Sequence, residues 1–431
     1  MDTNRNTFRN RLVGVVMATV VAFGVVAGVA AGDAGAQVSS KYDASIDSTI
    51  ADIQAFWTTA MPAVYGQQYE AIPTDRIYPY SQANPPPNCE DGGQTKAPYE
   101  QVAGNAFYCS NGDFVAYDEQ GLLPKLRDNF GEFAVGLVFA HELGHAVQAR
   151  VGYNPPSTVY FEQQADCFAG AWAQHVADSN DSNVHLARSD LDTALAGLLT
   201  LSDPSGIDGS QDGAHGNGFD RVSAFQDGYE GGAKVCADYQ NNPPSVTETG
   251  YTSSQDQASG GNLPLDQMTA TVTQSLDRYW GSQSSKLTAP TVTAGRVDAA
   301  DGTDGGVLTD GVVYDPSTNT VHYDAATLQN VHDSIGDFAG GLLLATAWSS
   351  AVEHQLGVQL GTDTARRGAE CLAGAWAADS ASSLSPGDLD EAVTVLVSAG
   401  QGNADRGTAF DRVAAFRDGF RNGPSQCVQS S

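Results

Sequence analysis

The sequence predicts an α+β fold, mainly helical with a small antiparallel β-hairpin or sheet, present as two tandem copies. Three observations carry this expectation. Apolar residues recur at helical spacing through residues 138–148 and again through 161–173. An Asn111-Gly112 pair stands between two apolar and aromatic runs, which is a hairpin signal. The second half of the chain repeats landmarks of the first in the same order.

The chain opens with Arg5, Arg9 and Arg11, followed by an uncharged run over residues 12–31 and then Ala34-Gly35-Ala36. This reads as a secretory signal peptide over residues 1–36, cut after Ala36. The run is also long enough to span a bilayer, so an uncleaved membrane anchor is the alternative. No Cys stands at the cleavage point, which argues against a lipoprotein anchor. The expected location is secreted or in the cell envelope, or else membrane-anchored by this segment.

The remaining length suits two domains: one over residues 37–243, a polar linker over 244–262, and a second over 263–431. The 41% hydrophobic content is enough for a core in each. The net charge of −30 is spread along the chain and argues against nucleic acid and anionic membrane surfaces as partners. Solubility is its simplest meaning. Six Cys in an exported chain point to disulfides.

Within the first domain, Ile46, Ile50, Ile53 and Trp57 mark an amphipathic helix over 45–57. A Pro-rich loop at 85–87 and Cys89 follow. Residues 105–118 read as two antiparallel strands around Asn111-Gly112, with Cys89 paired to Cys109. A helix is expected from about Asp128 to Val151, where Gly152, Pro155 and Pro156 stop it. A second runs from after Ser157-Thr158 to about residue 179. A third covers 189–201, and 202–213 is an Asp/Gly/Ser-rich loop with no defined metal spacing.

The first of these helices carries His141-Glu142-x-x-His145. Residues four apart share a helix face, with Cβ atoms about 5–6 Å apart, so both imidazoles reach one Zn²⁺. Glu142 stands one step round and can act as base on a metal-bound water. A solvated helix face is the bland alternative. A catalytic zinc needs a third protein ligand and an open position. Glu162 and Asp166, four apart on the next helix, offer one. One can ligate while the other accepts the N–H of a ligating imidazole. Glu162 is assigned as ligand and Asp166 as its support; spacing alone leaves the reverse open.

His-Glu-Leu-Gly-His-Ala-Val-Gln, followed by Glu-x-x-Ala-Asp-Cys-x-Ala-Gly-x-Trp-Ala, resembles the putative neutral zinc metallopeptidase family of bacteria, itself similar to the wider Glu-zincins. The resemblance covers about residues 50–240. It implies a zincin-like fold and a zinc-dependent peptidase, and it implies no particular substrate. The family places a His-Gly and a downstream Arg where this chain has His215-Gly216 and Arg221. His215 is therefore the candidate donor to a tetrahedral oxyanion, with a loop-capping residue as the alternative. Cys167 is expected to pair with Cys236, a bridge of roughly 4 kcal/mol in the chain-entropy model.

In the second half, 333–345 repeats 128–140, 369–377 repeats 165–173, and 410–419 repeats 219–228. Trp280 matches Trp57, and 312–324 matches the hairpin. The chemistry is lost: Thr346, Ala347 and Ser350 stand for His141, Glu142 and His145. Arg366 stands for Glu162 and Arg406 for His215. Trp376, Arg412, Gly419, Cys371 and Cys427 persist, so Arg221 reads as structural and Cys371–Cys427 as the second disulfide of this kind. Cys89 and Cys109 have no counterparts, which supports their pairing. His175, His185, His322, His332 and His354 fit no metal spacing.

The expectation is an exported zinc metalloendopeptidase holding one Zn²⁺ per chain in its first domain and acting on a peptide or protein substrate. The competing class is an exported non-catalytic binding or scaffold protein. The complete set of His141, Glu142, His145, Glu162 and Asp166 favours the enzyme.

Overall fold

The structure is a computed structural model. It describes residues 35–427 apart from 180–181, 183, 212, 248–249, 252, 296, 298–307, 310 and 401–407. The expected leader lies outside the described residues except for Gly35 and Ala36, which open the first helix. The described residues form two compact units, the first within 35–203 and 207–247, the second within 204–206 and 248–427. Both are α+β and mostly helical. No described helix is long and apolar enough to cross a membrane.

In the first unit, α1 (Gly35–Tyr65) buries Ile46, Ile50, Ile53, Trp57 and Met61, one stripe at helical spacing. The helix extends past the expected 45–57 at both ends. Trp57 meets Phe168 edge-on at 4.8 Å, and Asp52 accepts the indole N–H of Trp172 at 2.8 Å.

The sheet is mixed, which corrects the antiparallel expectation. Strands β1 (Ile77–Tyr80), β2 (Ala106–Cys109) and β3 (Phe114–Asp118) lie in the order β1-β3-β2. β2 and β3 form the expected antiparallel hairpin, and β1 pairs with β3 in parallel. Periodicity passes over β1 because it is four residues long and contains Pro79. Proline cannot donate to a ladder and is confined to edges, where β1 lies. The sheet buries Tyr80, Val102, Cys109, Phe114 and Ala116, and Cys109 is bridged to Cys89.

Helix α2 (Leu123–Val151) begins before the expected Asp128. Gly131, at φ 82°, interrupts it, so 123–130 and 132–151 are two helical pieces at an angle. α3 (Thr158–Asp178), α4 (Arg188–Thr200) and α5 (Gly218–Asp238) complete the unit. α3 and α5 approach backbone to backbone. A Cβ at Gly170 would overlap the Phe225 carbonyl, and one at Gly228 would overlap that of Cys167. The Cys167–Cys236 disulfide joins the same two helices. Phe133 stacks on Trp172 at 5.5 Å and ties α2 to α3.

In the second unit, α6 (Ser254–Ser259) forms inside the stretch expected to be linker, capped by the Ser253 side chain and ended by Gly260 at φ 67°. α7 (Leu265–Gln283) buries Met268, Val272, Leu276 and Trp280. Strands β4 (Thr291–Ala294), β5 (Leu308–Thr309), β6 (Val312–Asp315) and β7 (Thr320–Tyr323) lie in the order β4-β7-β6-β5, with β4 parallel to β7. α8 (Ala325–Ser334), α9 (Asp337–Gln355), α10 (Asp363–Asp379), α11 (Asp388–Gly400) and α12 (Ala409–Asn422) follow. A Cβ at Gly374 would overlap the Phe416 carbonyl, and Phe338 stacks on Trp376 at 5.7 Å. Cys371 is bridged to Cys427.

This unit stores protons. Carboxyl oxygens of Asp337, Asp388 and Glu391 lie within 4.8 Å of one another. Asp337 accepts the Leu263 N–H at 2.9 Å and Glu391 the Phe338 N–H at 2.8 Å. Burial, with the neighbouring carboxyls, pushes Asp388 up to about 8 and Glu391 up to about 9. On α9, burial and then Glu370 push Glu353 up to about 8. The folded unit therefore keeps protons that an unfolded chain releases near pH 4. Its stability is fully present near pH 4 and falls as pH rises through about 8–9, by about 1.4 kcal/mol per pH unit for each such group. Calorimetric melting of the chain between pH 5 and 9 should show this slope, and Glu391→Gln should flatten it. An unchanged slope in that variant would count against the assignment.

Candidate metal centre

The centre forms where α2 and α3 come close. Gly144 allows this: a Cβ there would lie 3.3 Å from the Ala165 Cα. Helical spacing then aims His141 and His145 from α2 at Glu162 on α3. The two imidazole Nε2 atoms are 3.1 Å apart. Glu162 places Oε2 3.1 Å from His141 Nε2 and Oε1 3.6 Å from His145 Nε2.

Those separations fit a zinc ion. Ligand bonds of about 2.0–2.1 Å in a tetrahedron put neighbouring ligand atoms roughly 3.3 Å apart. The proton positions agree. His141 Nδ1 faces Asp166 Oδ1 at 2.8 Å, and His145 Nδ1 faces Gln148 Oε1 at 2.8 Å. With each Nδ1–H donated to an oxygen, both Nε2 lone pairs converge on one point, an arrangement that a cation satisfies. The surrounding carboxylates favour positive charge here, which a proton or a cation can supply: burial disfavours a charged His141, yet Asp166 and Glu162 overcome it and hold its pKa up at about 10, and a cation held by Nε2 would displace that proton. Burial also works against an ionised Glu162, and the imidazoles nonetheless hold it well below the usual carboxylate range.

Each residue singled out by sequence has a definite place. Glu162 faces the Nε2 side, and Asp166 lies behind His141. Glu142 is buried, and its Oε2 accepts the Tyr108 N–H from β2 at 2.8 Å. Burial raises the Glu142 pKa, with His141 and His145 opposing. His215 lines the same cavity of about 370 Å³. Its N–H donates to Asp203 Oδ2 at 2.6 Å, and its Nδ1 faces Asp203 Oδ1 at 3.1 Å. Arg221 clamps Asp166 with Nε and Nη2 at 2.8 and 2.9 Å and donates Nη1 to the Leu201 carbonyl. It is structural in that it holds the group that holds His141.

Sequence reasoning missed Gln148, Asp203 and the Tyr108 N–H. Gln148 had a usable signal, since it lies three residues past His145 on the same face. Its Nε2 donates to the Phe161 carbonyl at 2.8 Å, which fixes the amide. Partners of this kind typically carry about 10–100-fold in metal affinity. Gln148→Ala should weaken zinc binding within about that range, measured by competition with a chromophoric chelator; unchanged affinity would deny Gln148 this role.

Thr346, Ala347 and Ser350, expected from the sequence to stand for His141, Glu142 and His145, carry no imidazole. The Thr346 hydroxyl donates to the Leu342 carbonyl at 2.9 Å and that of Ser350 to the Thr346 carbonyl at 3.2 Å, so both turn back on their own helix. Arg366 pairs with Asp363 and Arg412 with buried Glu370. Arg406 lies outside the described residues.

The uncharacterized protein YpfJ of Escherichia coli K12 is 30% identical over 150 residues, covering 29% of this chain and 50% of that protein. The uncharacterized protein Rv2575 of Mycobacterium tuberculosis H37Rv is 28% identical over 156 residues, covering 30% of this chain and 53% of that protein. The chain spans about half the length of the curated relatives it matches. No solved structure matches. Residues 26–239 match the family described as putative neutral zinc metallopeptidase, and this part of the chain belongs to that family.

Proposed function

We propose that the first unit is an exported zinc-dependent endopeptidase and that the second is a degenerate, non-catalytic copy of it. The observation that carries the enzyme reading is the triangle of His141, His145 and Glu162, with edges of 3.1, 3.1 and 3.6 Å and Glu142 beside it. These three residues would hold the metal. When bound, zinc supplies a Lewis acid for a carbonyl oxygen and lowers the pKa of a water toward about 7.

The chain's own groups do the rest. Tyr108 N–H fixes Glu142 Oε2, which leaves Oε1 to take a proton from the attacking water and deliver it to the leaving amine. Asp203 engages His215 at Nδ1, which leaves Nε2 to hydrogen-bond the oxyanion. β2 is a sheet edge whose Ala106, Phe107 and Tyr108 line the cavity, and an extended peptide can lie along it as an added strand.

Duplication is supported by sheets that share a parallel outer strand, by disulfides joining equivalent segments, and by the matching Trp stacks. Export is supported by the three disulfides. The test is internal cleavage of an unfolded protein such as reduced casein. Cleavage should vanish with a chelator and return with Zn²⁺. A zinc-loaded chain that cleaves no member of a broad peptide set would contradict the reading.

A further inference from the structure

The cavity continues past the metal centre along α2. Ala134, Val138, His141 and His145 line it at spacings of three and four, so one helix face carries both the imidazoles and an apolar extension. Ala134 lies about 10 Å along the axis from His141, given a rise of 1.5 Å per residue. α4 lines the cavity through Ala194, Gly197 and Leu198, beside residues of α3 and α5. Small residues open it: Ala134 on α2, Ala169 on α3, and Ala194 and Gly197 on α4. Leu198 and Phe225 supply apolar wall. At Gly197, which lines the cavity, a Cβ would rest on the Phe130 ring at 3.8 Å, an ordinary contact, so a side chain is admitted there without a clash.

Among the described lining residues beyond the metal centre, none carries an uncommitted charge. Arg221 lines this lobe, but its Nε and Nη2 are held by Asp166 and its Nη1 by the Leu201 carbonyl. Asp166 is in turn shared between Arg221 and His141. A charged side chain entering here would lose its hydration and find no partner. An aliphatic or aromatic one would exchange water for apolar wall.

We propose that this lobe is the specificity-determining subsite of the first unit and selects peptides with a bulky uncharged side chain beside the scissile bond. The inference rests on the peptidase reading, and Gly197 is its specificity-determining residue.

The test uses the zinc-loaded mature chain and dipeptide hydroxamates carrying a Leu, Ala or Asp side chain, with binding measured calorimetrically. The Leu probe should bind at least about tenfold more tightly than the Ala probe. The Asp probe should bind more weakly than the Ala probe. Gly197→Leu fills the lobe, and it favours the helix, because glycine is the weaker helix former. That variant should keep its zinc and its affinity for the Ala probe while losing the preference for Leu. Equal affinities for Leu and Ala, a preference for Asp, or a preference that survives Gly197→Leu overturns the inference and leaves the peptidase reading standing. The expected preference in a chain that hydrolyses nothing supports the lobe and overturns only the peptidase reading. A chain that takes up no zinc overturns both.

Discussion

Replacing Glu142 with Gln should lower peptide hydrolysis by about 10²–10⁴ while the zinc content stays unchanged. The amide keeps an oxygen that can accept the Tyr108 N–H, so the side chain holds its place. What it loses, on the proposed mechanism, is the ability to take a proton from water and return it to the leaving amine. Removal of this group alone should therefore appear in kcat and leave KM and metal binding nearly untouched. Steady-state kinetics beside metal analysis of the same sample checks both halves. A variant that retained wild-type kcat would show that Glu142 is not the base.

The next largest effect is expected at Arg221. Asp166 is fully buried, and its neighbours are the two Arg221 nitrogens and His141 Nδ1. Arg221→Met strands that carboxylate, and breaking a buried pair in this way typically costs about 3–5 kcal/mol. Denaturant unfolding of the chain reads the loss. Adding Asp166→Asn to the same chain removes the stranded charge and should recover much of it, so the two changes are strongly coupled. The neutral amide still offers His141 an acceptor oxygen. A single variant within about 1 kcal/mol of wild type would mean that the pair contributes little, as exposed pairs do.

What the sequence could and could not foretell follows from the range of each interaction. His141 and His145 meet because helix geometry is local and a spacing of four is enough. Glu162 joins them because α3 has its own periodicity, and small residues at Gly144 and Ala165 let the helices approach. The β2–β3 hairpin follows from Asn111-Gly112 for the same local reason. The parallel strand β1 does not, because its partner β3 lies more than thirty residues on and Pro79 breaks any strand pattern. Asp203 stands in a loop without a motif, and only the folded chain brings it to His215. The Tyr108 N–H is a backbone group, whose direction no side-chain pattern encodes. The α2 interruption at Gly131 was hidden because the apolar pattern runs on through it.

On the proposed reading His141, His145 and Glu162 together hold one zinc ion. Metal analysis of the purified chain, beside His145→Ala, is the first experiment to make. About one zinc per chain is expected in the wild type, the usual occupancy of a catalytic site with three protein ligands, and its loss in the variant. No zinc in either protein after incubation with excess metal would contradict that reading.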